Sequence, residues 1–417
     1  MVLVPVPLPS HEKSMRFAEA AAMIEQTCGI VTPVETVSLN AARSRLLAHN
    51  IVAPISVPPA NNSAVDGYAF RQSDLGQKGR TEFRLVGRAA AGHPFGDSLR
   101  PGEAVRIFTG AMMPDRADTV AMQEDVIATG AVVHISAGMV TGDNRRKAGE
   151  DIAAGSKVLP AGRRVGPAEI GLLTALGIEK IAVRAPLRVA LFSTGDELID
   201  AGTTPRPGQI YDSNRPVLLG LLHGLGMEVD DLGILPDCPE TIRGGLAAAA
   251  VRHDAVICSA GMSAGDEDHI RSAVETLGTL DFWNVAIKPG RPIAVGRIGG
   301  VPFFGLPGNP AAMVVTFLMI VRPALLRLAG AEPHKLRRFP VSADFSMRKK
   351  PGRREFLRCT LHEIAGGRLA ARRLQRHGSG MVSSIADSEG LLEIAEDTAD
   401  IQPGMVFPFI PFGGLGL

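Results

Sequence analysis

"GLPGNPAAMVV", residues 305–315, changes character at its midpoint. Its first six residues hold two glycines and two prolines, and everything after them is apolar. The stretch reads as a loop that ends a strand and starts a helix. Pro310 suits a first helical turn, where its missing N–H is not needed, and Asn309 is a good N-cap. So many backbone constraints at one strand end fit either a tight turn or a ligand lying close against the backbone.

The surrounding sequence identifies the sheet to which this strand belongs. Strand-like and helix-like runs alternate from residue 186 to 330: "LRVALFS", "RPVLLGLLHGLG", "MEVDDLGIL", "PETIRGGLAAAAVR", "DAVICSA" and "EDHIRSAVETLG". "RPIAVGRIGGVPFFGL" follows as a hairpin turning at Gly299-Gly300, and the helix after Asn309 closes the unit. This alternation predicts a mostly parallel, doubly wound α/β domain. No charge occurs from Val301 to Val321, a length that would span a membrane. Pro302, Pro307 and Pro310 interrupt it, so a buried strand, turn and core helix are expected, and no membrane partner.

Outside this domain the pattern changes. Helical spacing marks residues 14–28, and a second helix is expected to start at Ser38 and run through Leu46 and Leu47. Residues 51–147 carry short apolar runs broken by Gly, Pro and Asp, which read as a β-rich module. Residues 148–185 turn helical again near their end. A β-rich insertion (51–147) in a discontinuous helical domain (1–50 and 148–185) is therefore expected. The α/β domain (186–330) and a C-terminal β domain (331–417), a small barrel or sandwich, complete the chain.

Bulk composition narrows the function. The 417 residues are 45% hydrophobic and 21% charged, as in a folded globular protein. Net charge is +1, from 44 basic and 43 acidic residues, which gives no footprint for nucleic acid. Four scattered cysteines and ten unpaired histidines argue against a Cys/His metal site, and read as reduced and cytoplasmic. "MVLVPVPLPSHEK" lacks the basic start of a signal peptide.

In an open parallel sheet, ligands bind beyond the strand C-ends. Three such ends carry small or glycine residues whose N–H groups can face an anion. They place Ser193, Thr194 and Gly195 in "FSTGDEL", and Ser259, Gly261, Ser263 and Gly265 in "SAGMSAGDED". Pro307, Gly308 and Asn309 come from "GLPGNP". The same loops carry acids. Carboxylates beside a phosphate cradle imply a bridging Mg²⁺. Asp266 and Glu267 read as helix-start residues, whereas for Glu197, Asp237 and Asp268 the spacing leaves capping and metal ligation equally open. "AIKPGRP" sets Lys288 and Arg291 on a proline-stiffened loop suited to an oxyanion. Arg353 and Arg354 follow a turn in "PGRREFLR".

Eight motifs carry a family resemblance over nearly the whole chain: "NNSAVDGYA", "RIFTGAMMP", "FSTGDEL", "GQIYDSN", "SAGMSAGDED", "FWNVAIKPGRP", "GLPGNP" and "GRREFLR". In this order they resemble the molybdopterin molybdenumtransferases, to which the E domain of gephyrin is similar. The resemblance implies four domains, the last a β-barrel, and an elongated homodimer. It implies an active site between the α/β domain of one subunit and the inserted domain of the other. The reaction it implies inserts molybdenum from molybdate into adenylylated molybdopterin and releases AMP with Mg²⁺ present. Other proteins of molybdenum cofactor synthesis and acceptor molybdoenzymes are implied partners.

Carried over motif by motif, the catalytic positions are Asp66, Thr109, Glu197, Asp237, Asp268 and Lys288, with Glu197, Asp237 and Asp268 on the metal. Molybdate suits Lys288, Arg291, Arg353 or Arg354, and Ser379 in "RHGSGM". Four positions depart from the family. Ser259-Ala260-Gly261 stands for a Gly-Gly, which reads as conservative. Asn284 stands for a lysine, which is expected to remove one charge from the anion site. Ala312 stands for a serine, and Asn61 replaces the first residue of its motif. A related adenylyltransferase shares the α/β domain but usually lacks the flanking β domains. A scaffold would tolerate loss of the acids, all of which are present.

Overall fold

The structure, a computed structural model, describes residues 14–260, 269–332 and 336–415. The chain divides into two compact units. One comprises residues 1–35, 44–48 and 182–417, and the other residues 36–43 and 49–181.

The larger unit contains the doubly wound sheet. Its six strands run in the order Glu228–Leu235, Arg188–Thr194, Ala255–Ser259, Val301–Leu306, Pro292–Ile298, Gly278–Asn284. The first four are parallel, the expected hairpin makes Pro292–Ile298 antiparallel to Val301–Leu306, and Gly278–Asn284, antiparallel to Pro292–Ile298, runs with the first four. Side chains alternate between two apolar layers, as a strand buried on both faces requires. Val189, Leu191, Ile257 and Phe304 face the helices Asn214–Gly224 and Pro310–Thr316. Ala190, Phe192, Val256, Cys258 and Phe303 face Pro239–Arg252 and His269–Leu277. The uncharged stretch is a core strand and a core helix. From Ala311 to Val321 every side chain is buried.

Five strands of the same unit close into a barrel: Phe339–Ala343, Arg354–Ile364, Arg368–Arg373, Gly390–Ile394 and Val406–Pro411. Arg354–Ile364 pairs on both edges, with Arg368–Arg373 and with Gly390–Ile394. Leu357, Cys359, Leu392 and Phe409 fill the interior, whereas Phe356, Leu391 and Ile410 point outward into the α/β core. A further link comes from Ile287–Lys288, which leaves the α/β domain and pairs in parallel with Arg354 and Glu355.

The second unit is built on a six-stranded sheet, in the order Thr119–Met122, Gly67–Phe70, Glu103–Ile107, Arg80–Ala89, Val132–Ser136, Val126–Thr129. Tyr68, Phe70, Phe83 and Ile135 pack on one face, and Ala69, Ala89, Val105 and Ile107 on the other. Its helix, Pro167–Ala175, begins with the proline and first-turn Glu169 that favour a helix start. The helix expected from Ser38 does not form. Val34–Ser38 is a strand, and the Ser38 carbonyl accepts only one turn's N–H, from Ala42. Ser44 then takes φ +64°, which ends any helical path.

Two backbone positions at strand ends generate predictions. Gly290, at φ +101°, lies so near the core helix that a Cβ would stand 2.2 Å from Thr316 Oγ1 and 3.1 Å from the Ala312 carbonyl oxygen. Thr316 is fully buried and cannot turn away into solvent. Gly290→Ala is expected to destabilise the chain by about 2–4 kcal/mol in denaturant unfolding. A loss under about 0.5 kcal/mol would show that the contact is slack. Ala260, by contrast, adopts φ +77°, so the replacement of glycine there is not conservative. Ala260→Gly should relieve about 1–2 kcal/mol of strain and return about 0.5–1 kcal/mol as chain entropy. A higher unfolding midpoint is expected, and a lower one would refute the strain.

Candidate active site

Two cavities lie side by side in the larger unit and share Pro292, Pro307 and Asn309 as wall. The larger, about 700 Å³, opens over the strand C-ends. Thr194, Gly195, Glu197, Asp237, Pro307, Gly308 and Asn309 line it, as the loop reading expected. Ser193 and Ser259 are buried behind it instead. Gly261, Ser263, Gly265 and Asp268 lie outside the described residues.

Asn214 connects these loops. Its Nδ2 donates to Ser259 Oγ (2.9 Å) and to the Gly308 carbonyl (2.8 Å). Its Oδ1 has no partner among the described residues. The turn before it is fixed by Asp212, whose Oδ1 accepts the Asn214 and Arg215 N–H groups. Arg215 in turn forks onto Asp212, Asp231 and Asp200. The motif "GQIYDSN" carries the family resemblance, yet its sequence alone does not mark Asp212 and Asn214 as the residues that fix this turn. A buried polar residue that crosslinks two loops shows itself only in three dimensions.

The acids form a partial set. Glu197 folds back over Gly195, where a Cβ would meet Glu197 Oε2 at 2.5 Å. The Asp237 N–H donates to Asp196 Oδ1 at 3.2 Å. No group of three potential metal ligands assembles among the described residues. Two carboxylates on one cavity wall still fit Mg²⁺, which takes one or two from protein and completes its shell with water and phosphate oxygens.

The smaller cavity, about 450 Å³, is cationic. Lys288, Arg291, Arg353, Arg358, Arg373 and His377 line it, with Glu355 as its one acid among the described residues. Lys288 is not a free charge, because its Nζ lies 3.2 Å from the buried carboxylate of Glu355. Arg291 Nε donates to Ser14 Oγ at 3.1 Å. Arg354 does not reach the cavity at all. It pairs with Glu393 and Glu396 and stacks on Phe17. Asn284 lines neither cavity, although it pairs with Pro292, which lines both. Ala312 does line the cationic cavity. Ser379 lines it too, and its carbonyl accepts the Ala311 N–H at 3.0 Å, capping a helix start for which Asn309 makes no side-chain cap.

Two arginines escaped the sequence reading. Arg358, the last residue of "GRREFLR", donates through Nη2 to the His377 and Gly378 carbonyls. The Arg373 side chain has no hydrogen-bond or ion-pair partner among the described residues, and the Nε atoms of both are buried and unsatisfied. Burial, and then the neighbouring Arg373, hold the Arg358 guanidinium below the usual arginine value. Arg358 sat in a quoted motif, but Arg373 gave no signal beyond a strand pattern.

In the second unit the structure brings Asp66 and Thr109 together. The Thr109 N–H and Oγ1 both donate to Asp66 Oδ1 at 2.8 Å. These two bonds, the backbone one first, hold the Asp66 carboxyl below its ordinary value, with the Arg106 charge adding to them.

Comparison with known proteins agrees with this geometry. Residues 15–177 match the family model described as the MoeA N-terminal region (domain I and II). Residues 190–327 match a probable molybdopterin binding domain, and residues 340–412 the MoeA C-terminal region (domain IV). A molybdopterin molybdenumtransferase of Haemophilus influenzae is 36% identical over 390 residues, covering 92% of this chain and 95% of the relative. Molybdopterin molybdenumtransferase 2 of Mycobacterium tuberculosis is 34% identical, covering 88% and 93%. A solved molybdopterin biosynthesis protein from Pyrococcus horikoshii superimposes with a TM-score of 0.84 at 28% identity, covering 96% of this chain and 100% of that one. With three family regions spanning the chain and relatives alike along nearly their full length, the chain belongs to the molybdopterin molybdenumtransferases, transferases of molybdenum cofactor biosynthesis.

Proposed function

We propose that the two cavities divide the substrates of one reaction. The larger receives adenylylated molybdopterin, the smaller receives molybdate, and molybdenum enters the dithiolene as AMP leaves. The observation that carries this reading is a cationic cavity with one acid sharing a wall with a carboxylate-bearing cavity over strand C-ends. A tetrahedral dianion matches guanidinium donors that lack acidic partners. Among the described residues no cysteine lines either cavity, which supports sulfurs supplied by the substrate.

Thr194, Gly195, Asn214 and Gly308 orient the phosphates, and the open Asn214 Oδ1 accepts from a substrate donor. Glu197 and Asp237 would hold Mg²⁺, with Asp268 as the family's third position; the ion supplies charge against phosphate oxygens. Arg358 and Arg373 hold the oxyanion, with Lys288, Arg291 and Arg353 at its margin and the Ser379 segment beside it. Asp66 and Thr109 act in the same reaction from the inserted domain of a homodimer. The four-domain division, other cofactor-synthesis proteins and acceptor molybdoenzymes as partners, and a cytoplasmic location complete the proposal.

The test is AMP release by the full chain given adenylylated molybdopterin, molybdate and Mg²⁺. Glu197→Gln should fold normally and turn over about 10²-fold more slowly. Arg373→Ala should raise the half-saturating molybdate concentration at least fivefold, since a cation near 4 Å is worth about 1–4 kcal/mol. Asn284→Lys should leave the molybdate curve unchanged. An Arg373→Ala curve that overlays the parent's would remove molybdate from this cavity, and parental turnover by Glu197→Gln would remove the metal role.

The dimer has its own test. Asp66→Asn and Glu197→Gln chains, each inactive, are expected to recover part of the activity when their subunits exchange, because one site per mixed dimer is then intact. Absence of recovery after proven exchange would place both residues in one chain's site.

A further inference from the structure

We propose that Arg106 is the positioning residue of the Asp66–Thr109 pair, fixing the carboxylate for turnover; the inference rests on the catalytic reading of Asp66 given above. Arg106 lies on the Glu103–Ile107 strand, beside the strand that Asp66 introduces. Its guanidinium makes four contacts around that carboxylate. Nη1 donates to the Gly67 carbonyl at 3.1 Å. Nη2 donates to Gln123 Oε1. The guanidinium carbon stands 4.9 Å from the Tyr68 ring and 4.8 Å from the Phe108 ring. These residues are the immediate neighbours of the pair: Gly67 and Tyr68 follow Asp66, and Phe108 precedes Thr109. Gln123 closes the loop, since its N–H donates to the Asp66 carbonyl at 3.0 Å.

The backbone there has no slack. A Cβ on Gly67 would lie 1.9 Å from the Ala121 carbonyl oxygen, so the strand after Asp66 is pressed against its neighbour. One planar fork therefore connects the segment carrying the carboxylate, the segment carrying its two donors and the turn that holds its backbone. A guanidinium does this where an ammonium cannot, because it directs donors along fixed axes while stacking on rings.

Stability alone would not choose this arrangement. Arg88 sits directly opposite Arg106 across the parallel strand pair and stacks on the same Phe108 ring at 4.6 Å. Like charges facing each other across strands are destabilising, and an acid at either position would be the stabilising choice. Arg88 gives Arg106 no acid across this strand pair, and the Arg106 charge adds to the hydrogen bonds that hold Asp66.

The experiment measures AMP release by the full chain with adenylylated molybdopterin, molybdate and Mg²⁺, for Arg106→Met, Arg106→Lys, Gln123→Leu and Asp66→Asn. Arg106→Met should lower kcat about 10–100-fold, the cost of misplacing a reacting group, with the KM for molybdate within about twofold. Arg106→Lys should recover part of that loss, because charge and one donor remain. Gln123→Leu removes one contact of the fork and should lower kcat less, which keeps the test decisive if Arg106→Met does not fold. Unchanged kcat in Arg106→Met, or in Gln123→Leu where the former fails to fold, overturns the positioning role. So does a Lys variant no better than Met. Parental turnover by Asp66→Asn would instead overturn the catalytic reading on which the inference rests.

Discussion

Two residues of strand pairing organise the larger unit. Ile287 and Lys288 leave the α/β domain and pair in parallel with Arg354 and Glu355 of the barrel. Ile287 is fully buried where the α/β core meets the outward-facing Phe356, Leu391 and Ile410 of the barrel, so the exchange joins the two cores. Once made, it brings the stiff loop that follows against the barrel wall, so that both domains line one cavity. It sets Lys288 within 3.2 Å of Glu355 and presses Gly290 onto the core helix. The helix start is held from the barrel side as well, because the Ser379 carbonyl accepts the Ala311 N–H. The opening stretch "GLPGNP" is therefore a tight turn and also a wall: Pro307 and Asn309 face both cavities.

The charges around these cavities divide into paired and unpaired sets. Arg215 and Arg354 are each surrounded by carboxylates and serve the scaffold, where breaking one would strand a partly buried charge. Among the described residues the neighbouring Arg358 and Arg373 side chains have no acidic partner, and their Nε atoms are buried and unsatisfied. Such an arrangement costs stability on its own, and the proposed oxyanion would relieve it. The same contrast holds in the second unit, where Arg88 faces Arg106 rather than an acid.

Much of this was legible in the sequence. Alternating strand and helix runs fixed the α/β domain, because a strand buried on both faces and an amphipathic helix have different periods. Glycines, prolines and acids at strand ends located the larger cavity, since ligands lie where parallel strands stop. The motif order carried the family, which the three matched regions bear out. Local readings failed where local signals were ambiguous. Ser38 looked like a cap but ends a strand, and Ala260 looked conservative although its φ is +77°.

What only the tertiary structure decided is which charges are free. Lys288, Arg291, Arg353 and Arg354 were read alike, as cations near a turn. Their partners lie far away in sequence: Glu355 lies 67 residues from Lys288, and Glu396 lies 42 from Arg354. Whether a guanidinium is spent on a carboxylate or left for a substrate depends on such pairings, and residue type carries no trace of them. Arg373 was invisible for the same reason, because what marks it is the lack of an acidic partner among the described residues. The sequence determined the layers, the loops and the family; the closing of the barrel and its pairing with Ile287–Lys288 determined the electrostatics, because charges act through distance in space and not along the chain.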